Sequence, residues 1–135
     1  MQQQNSDRAP VAPREVVEGY FNAVARRDFP AARRLLADRG FRYRSPIGSF
    51  DNADDFVADL WRLGSIMESI TLCRAFVAGN ELCHIVEVRT RMSELVVTRL
   101  AQWSKVEDGR IQEIEAFFDG QRYAALFQHD PPPAA

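Results

Sequence analysis

The stretch ELCHIVEVRTRMSELVVTRLAQWSKVEDGRIQEIEAFFD, Glu81 to Asp119, decides the fold, because β-branched and aromatic residues recur through it between turn signals. Asp108-Gly109, inside Lys105-Val-Glu-Asp-Gly-Arg-Ile111, is a two-residue hairpin signal, since both central positions of the favoured turn need positive φ. It pairs Glu107 with Arg110. Counting outward by the strand period of two sets Trp103 beside Ile114, Ala101 beside Ala116 and Arg99 beside Phe118 on one side of the sheet. A turn at Ser93-Glu94 adds His84 beside Trp103, Val86 beside Ala101 and Val88 beside Arg99. A turn at Gly79-Asn80 adds one more strand, with Ala75, Cys73 and Thr71 in the same rows. The face so assembled is mostly small or apolar, has His84 and Arg99 as its main polar members and receives no carboxylate, which describes the wall of a pocket.

Upstream of these strands the hydrophobic period changes to that of helices. Val16, Val17, Tyr20, Phe21 and Val24 predict an amphipathic helix from Pro13 to Arg27, with proline in its first turn. Asp28 starts a second helix that Gly40 ends. Phe41 to Arg44 reads as a short strand with Phe41, Tyr43 and Ser45 on one face, followed by the loop Ser45-Pro46-Ile47-Gly48. Asp51 or Asn52 caps a third helix whose stripe is Phe56, Val57, Leu60 and Trp61 and whose end is Gly64. Residues 1–12 read as a disordered lead, 13–128 as a single domain closed by a short helix over Gln121 to Gln128, and 129–135 as a flexible tail. Helices followed by a meander of long strands give an α+β architecture, with helices covering one sheet face. The other face, expected to carry Ile70, Leu72, Phe76, Ile85, Leu100, Ile111 and Phe117 between Glu87, Arg89, Gln102 and Glu115, needs a cover too, and a homodimer supplies it most simply.

Composition narrows the function. A 135-residue chain that is 46% hydrophobic can bury one real core. Its formal net charge of -2 offers no basic footprint for nucleic acid and no polybasic anchor for a membrane. No apolar run approaches a bilayer span and Met1-Gln-Gln-Gln-Asn-Ser6 does not read as a signal peptide, so a cytoplasmic location is expected. Cys73 and Cys83 fall on opposite faces in this register and have no metal-ligand spacing with His84 or His129. Both are expected to be small buried hydrophobes, and neither a metal nor a cofactor is expected.

The order of elements, the loop Ser45-Pro46-Ile47-Gly48 and the closing run Asp108-Gly-Arg-Ile-Gln-Glu-Ile-Glu-Ala-Phe-Phe-Asp119 resemble the nuclear transport factor 2-like superfamily, in its SnoaL-like or ketosteroid-isomerase-like branch. The resemblance covers Pro13 to Gln128. It implies a cone of curved antiparallel sheet with N-terminal helices on its concave face, an apolar pocket inside, and a dimer packed through the sheet. It also implies catalytic positions, most of them empty here. The isomerases' proton-transferring aspartate is matched by Ser45, before Pro46, and their second acid by Ala101. The acid on the last strand of the epoxide hydrolases is matched by Ala116. Tyr20 matches the tyrosine that stabilises the isomerases' enolate. A serine without an adjacent base does not replace a carboxylate in proton abstraction.

The expected pocket is therefore walled by Tyr20, Tyr43, Ser45, Trp61, Val86, Ala101 and Trp103, with Ile114, Ala116 and Phe118 from the last strand. His84 and Tyr20 are the candidate catalytic groups, His84 because its ordinary pKa lies near neutrality, although a lone interior histidine is more often a satisfied core residue. An inward Arg99 would need an anion or several acceptors, or a place at the pocket rim. The expected ligand is a small apolar or weakly anionic organic molecule. Binding with turnover and a non-catalytic dimerisation or partner-binding scaffold stand as the two readings of this sequence.

Overall fold

The computed structural model describes residues 11–121. Its elements are α1 (Pro13–Ala25), α2 (Phe29–Arg34), β1 (Arg42–Ser45), β2 (Gly48–Phe50), α3 (Ala53–Gly64), β3 (Met67–Ala78), β4 (Glu81–Arg91), β5 (Leu95–Glu107) and β6 (Arg110–Phe117). The expectation for the tail, and all but the first residue of the helix expected over Gln121 to Gln128, lie outside the described residues, as does most of the expected lead. Six strands form one curved, unclosed sheet in the order β2-β1-β6-β5-β4-β3. All neighbours are antiparallel except β1 and β6, which run parallel. No helix among the described residues is long and apolar enough to cross a membrane.

Local chemistry fixes the helices. Pro13 opens α1, which buries Val16, Val17, Tyr20, Phe21 and Val24 against the sheet. The Asp28 carboxylate caps α2 by accepting the Ala31 N–H at 3.1 Å, and Asn52 Oδ1 caps α3 by accepting the Asp55 N–H at 2.8 Å. Where α3 ends, a Cβ on Gly64 would stand 2.8 Å from the Phe29 ring, so only glycine lets α2 and α3 approach this closely. Arg27, expected as the last residue of the first helix, lies two residues beyond its end, bends the chain at φ 61° and donates to the carbonyls of Gly64 and Met67. It fastens the α1–α2 corner to the end of α3.

Asp108 and Gly109 have φ of 54° and 75°, and Glu107 faces Arg110, so the hairpin forms where the sequence puts it. Beyond Val106 and Ile111 the register departs from the expected one. An extra residue on β6 makes a bulge, so that Lys105 faces Glu113, Ser104 faces Ile114, Gln102 faces Ala116 and Ala101 faces Phe117. The β4–β5 turn is also one residue longer than expected: Arg91 faces Leu95, which sets His84 beside Gln102, Val86 beside Leu100 and Val88 beside Thr98. Both offsets fall on β5, and a one-residue slip turns every side chain of a strand over. Thr98, Leu100, Gln102 and Ser104 therefore face the helices, whereas Arg99, Ala101 and Trp103 lie on the outer face, contrary to the expected pocket wall.

A second bulge, between Leu72 and Arg74, keeps Ala75 beside His84 but brings Leu72 and Ile70 next to Val86 and Val88 in place of Cys73 and Thr71. Cys73 is exposed and Cys83, opposite Trp103, is half-buried, so neither is the buried hydrophobe expected. Ile70, Leu72, Leu100, Gln102 and Ile111, expected on the outer face, belong to the interior instead. The outer face keeps Phe76, Ile85 and Phe117, gains Trp103 and Ala101, and leaves Phe76 and Phe117 59% and 52% exposed.

Candidate functional site

A cavity of about 260 Å³ lies between the concave sheet face and the helices. From α1 it receives Tyr20, Phe21 and Val24; from α3, Phe56, Asp59, Leu60, Arg62 and Leu63. The β1–β2 hairpin adds Tyr43, Ser45, Ile47, Gly48 and Phe50, and Ile66, Met67 and Ile70 follow from the start of β3. Val86, Val88 and Thr90 from β4, Thr98, Leu100 and Gln102 from β5, and Phe118 complete the wall. Pro46 and Ile47 turn the chain so that Tyr43 pairs with Phe50, and the Tyr43 ring stacks on Phe56 with centroids 4.4 Å apart. Tyr20 lies 6.5 Å from the same Phe56 ring.

The polar groups are few and differ in kind. Burial pushes the Tyr20 phenol well above the ordinary tyrosine range, and the neighbouring Tyr43 adds to the rise. Burial likewise raises Tyr43, with Ser45 working against it and the charge of Asp59 working with it. Both phenols are therefore neutral donors at physiological pH. Gln102 is buried and donates to Ser104 Oγ at 3.3 Å. Asp59 is the one carboxylate among the described residues that line the cavity, and its Oδ1 accepts from Arg62 Nη2 at 2.5 Å. The strands place no carboxylate on the wall among the described residues; this one comes from α3, outside the sheet face on which none was expected. The chain carried the signal: Asp59 stands three residues after Phe56 and four before Leu63, inside the apolar stripe of α3. Gln102, Thr98 and Leu100 escape the sequence reading because they belong to the other face of β5 in the expected register.

Of the expected lining residues, Tyr20, Tyr43, Ser45, Val86 and Phe118 meet at this cavity. Ile114 and Ala116 are buried nearby without lining it. Trp61 is not a wall: it is 58% exposed on α3 and packs its ring on Phe29 with centroids 4.8 Å apart. Arg99 faces away from the helices beside Glu87, so it holds no ligand here. His84 is fully buried behind Phe21, whose ring meets the imidazole edge-on at 5.4 Å. Its Nε2 is 3.1 Å from Glu18 Oε2, and Glu18 also accepts from Arg14 at 2.8 Å. Burial acts to raise the Glu18 pKa, yet the hydrogen bonds and charges of His84 and Arg14 hold it below the usual value. A carboxylate only accepts, so Nε2 carries the proton in this pair. His84 Nδ1 has no hydrogen-bond partner among the described residues. The expected convergence of Tyr20, His84 and Arg99 does not occur. No group of three or more His, Cys, Asp or Glu side chains among the described residues could hold a metal ion.

No family model matches the chain, and no curated protein matches it in sequence. Solved structures do match in shape. A nuclear transport factor 2-like protein of unknown function from Cytophaga hutchinsonii superposes with a TM-score of 0.74 at 20% identity, over 85% of this chain and 96% of that one. An LEH-like epoxide hydrolase from M. tuberculosis gives 0.70 at 19% identity, over 78% and 80%. A protein with a ketosteroid isomerase-like fold from Catenulispora acidiphila, in complex with trimethylamine, gives 0.70 at 14% identity, over 81% and 88%. The chain has the nuclear transport factor 2-like fold, as its sequence implied.

Proposed function

We propose that this chain is a SnoaL-like domain that binds a small, largely apolar organic molecule in the cavity, with the Tyr20 and Tyr43 phenols as hydrogen-bond donors. The observation that carries this reading is the cavity of about 260 Å³ itself, unfilled in an interior that otherwise buries Phe29, Phe41, Leu36 and Leu82 completely. A scaffold that had given up its ligand would gain by closing that space with larger side chains, so the non-catalytic scaffold has less support. A weakly anionic ligand also loses support, since Arg99 is outside and Arg62 already faces Asp59. The fold hosts unrelated reactions, and the described residues carry turnover no further than Asp59, the one carboxylate they place on the wall. Val88→Phe places a ring in the cavity from β4. It should abolish binding of Nile red, an uncharged apolar probe, while leaving the melting temperature within a few degrees. Retained binding in that variant would locate the probe elsewhere and remove the reading.

The partner proposed with it is a second copy, packed through the outer face. Phe76, Cys83 and Trp103 form one row there, and Ile85, Ala101 and Phe117 the next, with Glu87 and Arg89 3.6 Å apart to one side. An apolar centre with both signs of charge beside it is compatible with itself across a two-fold axis. Sedimentation at micromolar concentration should give twice the chain mass, and a clean monomer would end this proposal.

A further inference from the structure

The cavity combines an aromatic wall with one carboxylate, and from that combination we infer its ligand's charge: the site selects a small organic cation, an ammonium group on an apolar body, with Asp59 as counter-ion. The inference rests on the cavity being a binding site. Among the described residues six rings line it, from Tyr20, Phe21, Tyr43, Phe50, Phe56 and Phe118, and an aromatic wall attracts a desolvated cation through the negative faces of its rings. Asp59 stands among them on the buried stripe of α3, its side chain 21% exposed. Arg62, one turn on, is 49% exposed. The carboxylate is thus the inner member of the pair and the guanidinium the outer one. Arg62 takes Oδ1, and among the described residues no hydrogen bond reaches Oδ2.

A carboxylate half withdrawn from water, with one oxygen open, lacks compensation on its cavity side. Neutral phenols supply no counter-charge. Among the described residues no lysine or second arginine lines the wall, so beyond Arg62 the positive charge comes with the ligand. A ligand ammonium on Oδ2 completes the pairing that Arg62 begins. A neutral molecule of the same shape gains the apolar contacts but leaves Asp59 as it was. An anion meets the carboxylate and is rejected.

Choline and 3,3-dimethylbutan-1-ol test this, because they share shape and hydroxyl and differ by the charge on one atom. Titration calorimetry on the full chain should show choline binding about tenfold tighter, the range expected for a desolvated cation against rings and a carboxylate. Asp59→Asn keeps the shape and should bring the two affinities together, and Arg62→Gln, which removes a competing cation, should tighten choline further. If the alcohol binds as well as choline, or if the preference survives Asp59→Asn, the inference fails while the cavity remains a binding site. Binding of neither compound, with Nile red also excluded, would overturn both.

Discussion

Glu18→Ala tests whether His84 is held by its carboxylate partner or merely packed. The imidazole is fully buried, its Nδ1 has no partner among the described residues and its Nε2 has Glu18 at 3.1 Å. Truncating Glu18 leaves both ring nitrogens without a protein partner, and an unsatisfied buried polar group costs about 1–3 kcal/mol. The same truncation removes the exposed i, i+4 ion pair with Arg14, worth roughly 0.2–0.5 kcal/mol. For a chain of this size the sum lowers the melting temperature by roughly 4–12 °C. Adding His84→Leu to Glu18→Ala removes the stranded nitrogens and restores at least half of the loss, since replacing both partners with apolar groups is nearly neutral. Acid offers an independent check. Glu18 is depressed in the folded state, so its contribution is complete above its ordinary value of 4.5 and drains as the pH falls through the lower folded value. The gap between wild type and Glu18→Ala should narrow below that pH. A Glu18→Ala protein that melts with the wild type, or a double variant less stable than the single one, would refute the account.

Gly64→Ala should cost about 1–3 kcal/mol by overpacking, because the new Cβ meets the Phe29 ring at 2.8 Å; denaturant midpoints at unchanged m would show it. Ala101→Asp should leave the monomer folded, since Ala101 is on the outer face beside Ile85 and Phe117, but weaken the proposed dimer by roughly 100-fold or more through two desolvated carboxylates. An unchanged dimer dissociation constant on dilution would remove that face as the interface. Arg99→Leu should have no effect on ligand affinity, because Arg99 lies across the sheet from the cavity; a loss of binding would contradict the β5 register.

The β5 residues that the sequence reading misplaces go astray together, for one reason. Asp108-Gly109 sets Glu107 against Arg110 correctly, and β4 and β6 present the expected side chains inward: His84, Val86 and Val88 on one, Ile114 and Ala116 on the other, with Phe118 just past its end. Strand β5 lies between them and is turned over relative to both. Its misplacement puts Arg99, Ala101 and Trp103 into the expected pocket and takes Thr98, Leu100 and Gln102 out of it. Phe41 to Arg44 reads as a strand, which β1 is within one residue, but its parallel pairing with β6 and the hairpin to β2 at Pro46-Ile47 are absent from the sequence reading, because a three-residue β2 carries too little periodicity to be read.

Two signals in the chain settle the β5 frame. Ile111 and Ile114 are both buried on the helix side, opposite Val106 and Ser104, and a spacing of three on one face cannot belong to a regular strand; it requires an extra residue between them, which is the bulge. The second signal is charge. Turned one way, β5 sends Val97, Arg99, Ala101, Trp103 and Lys105 inward; turned the other, it sends Val96, Thr98, Leu100, Gln102, Ser104 and Val106. The first set would bury a guanidinium and an ammonium against an apolar wall. The second buries no charge at all, and the cost of stranding even one buried ion exceeds anything a tryptophan gains by facing in rather than out. With β5 turned that way Arg99 leaves the site, and the charge on the wall passes to α3, where Asp59 interrupts the apolar stripe.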